Sequence, residues 1–207
     1  MAMAAARMDP EHREILLRDK PKAMLAISPK GTVPVFLTSD GVVIEESLDI
    51  MLHALSLGDP PRWLRNQHCV KRRALLEDND GPFKTALDRY KYASRAASDD
   101  DGVDVAAAVD ETSRMLREIE RTMAGAPFID GTSMGLFDVA IFPFIRQLAG
   151  VDLARFEATA PTSVTSWLHA MTTAREFTKV MAKVPRWSSG DAPRCFLDTL
   201  VHHTSSQ

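Results

Sequence analysis

Apolar and polar positions change texture along this chain near residue 60. Before that point the apolar runs are short: Ile15-Leu16-Leu17 within REILL, then Val33–Leu37 interrupted by Pro34, then Val42-Val43-Ile44. Runs of this length bounded by turn residues predict strands, and the Asp40-Gly41 pair between the last two predicts a tight antiparallel hairpin. Between the first strand and the hairpin, KPKAMLAIS has the length of a short helix or irregular crossover, closed by Ser28-Pro29-Lys30-Gly31. After the hairpin, Leu48, Met51, Leu52 and Leu55 repeat at helical spacing, with Ser47 as the expected N-cap and Gly58 past the end. Asp59-Pro60-Pro61 then stops the helix.

Beyond this linker the period is helical throughout. Val105, Val109, Thr112, Leu116, Ile119 and Met123 form one face of a helix that runs into AGAP. Leu136–Leu148 is apolar almost all round, the pattern of a buried central helix. Residues 163–184 predict a helix broken once, and residues 66–95 one or two helices interrupted at Gly81-Pro82. Trp63 and Trp167 read as helix-packing residues. Asp99, Asp100 and Asp101 precede Gly102, but a calcium loop fails there: with Gly102 at the sixth position, Ala97 falls at the first and Ala108 at the twelfth.

Composition narrows the function classes. The 207 residues carry 25 Lys plus Arg against 28 Asp plus Glu, a formal charge of −3. That balance lacks the basic excess of a nucleic-acid-binding domain. The best apolar stretch, Val139–Ile145, is bracketed by Asp138 and Arg146 and is far shorter than the roughly 20 residues of a spanning helix. Cys69 and Cys195 stand far apart, without a zinc-binding spacing, so no metal site is expected and a reducing, cytoplasmic setting is.

A short β/α segment, a proline-rich linker and a helical remainder follow the order of a cytosolic glutathione transferase. SPKGTVPVFLTSDGVVIEESLDIMLHAL resembles the second half of that family's thioredoxin-like domain, with its VP and ES pairs at the family's spacing. GAPFIDGTSMGLFDVAIFPFIRQLA is similar to the family's helical-domain motif, and REILLRDKP resembles the second strand and turn of omega-class and related bacterial members. The resemblance implies an α/β thioredoxin-like domain over residues 1–60 and an all-helical domain over residues 61–207. It implies glutathione as ligand, a small electrophile or disulfide as co-substrate, and a homodimer.

Each site residue has a physical reading beside the implied one. Pro34 removes a strand donor and fits an edge strand; in the family this proline is cis and leaves the Val33 main chain free to bind an extended peptide. Glutathione is such a peptide. Ser47 and the free N–H groups at the helix start suit its γ-glutamyl carboxylate, and Glu46 suits its ammonium group, while a plain helix cap explains the same pair. Lys20 takes the position at which the omega-class pattern places a lysine near the peptide's cysteinyl-glycine end. Asp138 reads as structural, accepting main-chain N–H groups at the start of the buried helix. The family has Ser or Thr where this chain has Gly135, so half of the reciprocal capping box is expected, with Met134 and Val139 as a hydrophobic staple.

The family's activating residue, a Cys, Ser or Tyr after the first strand, has no counterpart here. MAMAAARMDP resembles the end of the first helix, so the thioredoxin-like domain is expected to be truncated, lacking its first strand and most of that helix. Neither Cys69 nor Cys195 can replace the activating residue by position, although Lys71, Arg72 and Arg73 could lower the Cys69 pKa. His53 and His202-His203 are unconvincing bases. Three functions therefore stand: a transferase or glutathione-dependent thiol reductase, a non-catalytic glutathione-binding or interaction module, or an incomplete product of an active parent. The loss of a central strand would also expose backbone groups, to be offset by pairing with a partner or by local disorder.

Overall fold

The structure is a computed structural model that describes residues 1–93 and 102–201. Its elements, in chain order, are helices α1 (Ala2–Ala5) and α2 (Lys22–Ile27), strands β1 (Phe36–Leu37) and β2 (Val43–Ile44), and helix α3 (Ser47–Leu57). A 3₁₀ turn (Trp63–Asn66) leads to α4 (Val70–Asp78), a π turn (Asn79–Phe83) and α5 (Lys84–Ala93). Then come α6 (Gly102–Met123), α7 (Leu136–Val151), α8 (Leu153–Thr159), α9 (Thr162–Thr173), α10 (Arg175–Val180) and α11 (Phe196–Val201). The expected acidic loop at Asp99–Asp101 and the His202-His203 pair lie outside the described residues.

Two compact units result. Unit 1 joins Met1–Pro61 to the described part of Ala174–Gln207, and unit 2 is Arg62–Thr173. Unit 1 carries the hairpin: β1 pairs antiparallel with β2, Phe36 opposite Ile44 and Leu37 opposite Val43, around a turn that needs Gly41 at φ +88°. Thr38 locks the turn, its N–H donating to Val42 O at 2.9 Å and its hydroxyl accepting Val42 N–H at 2.8 Å. Among the described residues the sheet has two strands, as fits a truncated thioredoxin-like domain. α1 packs on α3, whose Ala54 and Leu55 are buried.

REILL, expected as a strand, forms none: Leu16 makes an isolated bridge with Asp19 around a turn at Leu17-Arg18. Its upstream end pairs instead with the C-terminal segment: His12 N–H donates to Arg194 O at 2.7 Å, Phe196 N–H to Pro10 O at 2.9 Å and Trp187 N–H to Glu14 O at 2.8 Å. Arg13 stacks its guanidinium 4.7 Å from the Trp187 ring centre, a cation–π contact that fastens this strap. Sequence periodicity cannot reveal such a pairing, because it joins residues more than 170 positions apart.

In unit 2, α6 packs on α4 and α5, and α7 contacts α4, α5, α8 and α9. The predicted stripe of α6 turns Thr112, Leu116, Ile119 and Met123 inward, joined by Ala108 and Met115. α7 is central, with Phe137, Ile141, Phe142 and Ile145 at most 1 % exposed. Gly81-Pro82 does not break the preceding helix. One π turn lets the chain pass the proline, which lacks an N–H and would crowd a regular helical turn. No helix among the described residues is long and apolar enough to cross a membrane.

Candidate functional site

The residues singled out for peptide binding all lie in unit 1, around the hairpin and the start of α3. The Val33–Pro34 peptide bond is cis. Val33 is 44 % exposed, and its main chain makes no hydrogen bond among the described residues. Lys20 sits beside the turn before it: a Cβ added to Gly31, which has φ +63°, would lie 3.9 Å from Lys20 Nζ and 3.2 Å from Leu25 Cδ2.

At the other end of the hairpin, Glu46 and not Ser47 is the N-cap of α3, in extended conformation. Its carbonyl accepts the Ile50 N–H at 3.0 Å. Ser47 is therefore the first helical residue. Its exposed hydroxyl makes no hydrogen bond among the described residues, so it can meet an incoming anion. Three carboxylates, Glu45, Glu46 and Asp49, crowd this terminus. Two are engaged. The buried Ser28 hydroxyl donates to Glu45, and Lys30 pairs with Glu46 on the surface. The hydrogen bond to Glu46 raises the Lys30 pKa. Lys30 and Ser28 were missed in the sequence because their partners lie 16 and 17 residues away, across the hairpin. What brings them together is the turn chemistry of Ser28–Gly31, which was legible.

The two cysteines have opposite electrostatics. Cys69 is the N-cap of α4. The Arg72 main-chain N–H lowers its pKa, aided by the Arg72 guanidinium 3.2 Å from the sulfur. Cys195 is exposed beside Asp9 and Asp198, whose negative charges push its thiol pKa up. No cluster of metal-ligating side chains occurs among the described residues.

In unit 2, Asp138 is wholly buried at the start of α7 and accepts four hydrogen bonds. Oδ1 takes Ile129 N–H at 2.7 Å and Trp167 Nε1–H at 2.8 Å; Oδ2 takes Gly135 N–H at 2.9 Å and Asp130 N–H at 3.1 Å. Burial raises its pKa to about 6 against the pull of Trp167. This is the reciprocal half of a capping box. The half that Gly135 cannot supply comes from Asp130, whose Oδ2 accepts the Phe137 N–H at 2.9 Å. Asp130 is held in turn by Asn66, whose amide donates to its Oδ1 at 3.2 Å, and by Arg72 Nε at 3.6 Å. The Phe-Ile-Asp-Gly stretch gave no local signal for this role, since its acceptor reaches a helix seven residues away.

Comparison with known proteins bears on the fold. Residues 1–80 match the glutathione S-transferase N-terminal domain family. The fold is similar to a glutathione S-transferase from Rhodospirillum rubrum F11, at 20 % identity over 93 % of this chain and 88 % of that one, with a TM-score of 0.68. It is also similar to glutathione transferase Omega 3C from Trametes versicolor, at 17 % identity over 85 % and 79 %, with a TM-score of 0.65. A Pseudomonas fluorescens pf-5 family member with two glutathione molecules bound aligns at 18 % identity over 77 % and 74 %, with a TM-score of 0.63. A search of curated proteins gives no match.

Proposed function

We propose that this chain, whose residues 1–80 match the glutathione S-transferase N-terminal domain family, belongs to the glutathione transferases and binds glutathione through unit 1. The observation that carries the reading is Val33, an exposed residue whose main chain is unpaired among the described residues, in the same unit as the Ser47 hydroxyl at the start of α3. Val33 offers one N–H and one C=O to the cysteinyl main chain of the tripeptide, as a strand edge does for any extended peptide. Ser47 and the first N–H groups of α3 receive the γ-glutamyl carboxylate, favoured by the helix dipole. Glu46 receives the ammonium group in exchange for Lys30, an exposed pair that costs little to open. Lys20 attracts the glycine carboxylate. The glutathione-binding part is residues 1–60 and the helical part 61–207, the last segment of which belongs to unit 1.

Transferase chemistry joins the glutathione sulfur to an electrophilic carbon as a leaving group departs with its electron pair; thiol reduction instead has that sulfur attack a disulfide, forming a mixed disulfide as the old S–S bond breaks and the other sulfur leaves as a thiolate. Either requires a thiolate. Non-catalytic binding is the second reading, and one observation favours it. Cys195, the cysteine of unit 1, is held towards its neutral form by the negative charges of Asp9 and Asp198. A cytoplasmic setting and a homodimer complete the proposal. Calorimetric titration with glutathione, followed by turnover with a model electrophile and a model disulfide, tests it. Binding with turnover supports the enzyme, binding alone supports the module, and no binding overturns both.

A further inference from the structure

A cavity of about 850 Å³ opens within unit 2, between the last turn of α5, the second half of α7, and helices α8 and α9. Every residue that lines it belongs to this unit, so it shares none with the Val33 and Ser47 site. Its volume falls in the range of small-molecule sites.

The lining is apolar in one part and charged in another. Phe156 is buried at its base, Leu168 is half-buried, and Leu153 stands 58 % exposed at its rim. A leucine left this open beside a cavity is apolar surface that a ligand would remove from water. Two permanent cations also line it, Lys91 from α5 and Arg146 from α7. Their meeting is not left to flexible side chains alone. Lys91 Nζ donates to the side-chain oxygen of Gln147 at 3.2 Å, which fixes the ammonium beside the turn of α7 that carries Arg146. Lys91 also pairs with Asp88 at 3.2 Å, a surface ion pair of the kind that exchanges partners at little cost. One carboxylate, the exposed Glu157 of α8, lines the cavity against the two cations.

We propose that this cavity binds a small organic anion with an apolar body. The body packs on Phe156, Leu153 and Leu168, and the acid group accepts from Lys91 and Arg146, which come from two helices and so select for a group placed between them. Glu157 opposes the anion and limits its affinity. The site goes beyond glutathione binding and does not depend on it.

The test titrates the full chain with naphthaleneacetate and with naphthaleneacetamide, which share ring and shape and differ in charge, while main-chain amide chemical shifts are followed. The anion is expected to bind about tenfold more tightly than the amide, with saturable shifts at Leu153, Phe156 and Leu168. Lys91→Gln and Arg146→Gln are each expected to weaken the anion about threefold and to leave the amide unchanged, whereas Glu157→Gln tightens the anion about twofold. Leu153→Ser, at the exposed rim, should weaken both compounds alike, about threefold. Absence of saturable binding, equal affinity for the two compounds, or unchanged anion affinity in both Lys91→Gln and Arg146→Gln would overturn the proposal. So would displacement of the anion by glutathione, which would make the cavity part of the tripeptide's own site. A chain that binds no glutathione at all would leave these outcomes as they are, so the two readings stand or fall separately.

Discussion

A Cβ on Gly135 would lie 2.2 Å from Asp130 Oδ2, the same oxygen that accepts the Phe137 N–H at 2.9 Å. The glycine and the aspartate are therefore one capping device, in which a carboxylate from the preceding loop takes the volume of an N-cap side chain. Gly135→Ser alone is expected to destabilise unit 2 by about 1–3 kcal/mol through overpacking. With Asp130→Gly the new serine has room to cap the helix, so the double variant should be more stable than the sum of the single changes. Thermal melts of the four proteins check the sign of this coupling.

Asp138 serves four donors in a wholly buried place. Asp138→Ala leaves the Ile129, Asp130 and Gly135 N–H groups and the Trp167 indole without an acceptor, and should cost about 3–5 kcal/mol. Urea unfolding checks the magnitude. A shift in tryptophan emission, absent in a Trp167→Phe background, locates the effect.

Cys69 and Cys195 should part company in their pH dependence. Arg72 lowers the first thiol and Asp9 raises the second, so iodoacetamide alkylation of Cys69 should rise with pH before that of Cys195. Mass spectrometry of each site against pH measures the order. Replacing Arg72 with Met should move the Cys69 profile to higher pH and leave Cys195 unchanged.

The strap makes a prediction about unit 1. His12 N–H, 2.7 Å from Arg194 O, should be protected from hydrogen exchange in the full chain and should lose that protection when residues 185–207 are removed. Protection of the Thr38 and Gly41 N–H groups, held within the hairpin turn, should fall less.

What the sequence disclosed follows the range over which each interaction acts. Asp40-Gly41 announced the hairpin, and the α6 stripe announced its buried face, because turn conformation and helical period are set by neighbours a few residues apart. REILL reads as a strand from its side chains alone, yet strand identity depends on a partner, and its neighbour here comes from residues 187–196. Ser47 looked like the N-cap of α3 because serine caps well, whereas the chain turns one residue earlier, at Glu46. The sequence names Lys20, Val33, Glu46 and Ser47 as the candidate site. Lys30, which occupies Glu46, and Asp130, which replaces a capping serine, act through folded proximity and left no local pattern.

The central claim is that unit 1 binds glutathione at the start of α3 and along Val33. Amide chemical-shift mapping during a glutathione titration tests it most directly, with Ser47→Ala as the control. The account predicts saturable shifts clustered at Lys20, Val33, Glu46 and Ser47, and affinity reduced about three- to tenfold in Ser47→Ala by the loss of one charge-assisted hydrogen bond. No saturable shift at millimolar glutathione, or a cluster of shifts confined to unit 2, would contradict it.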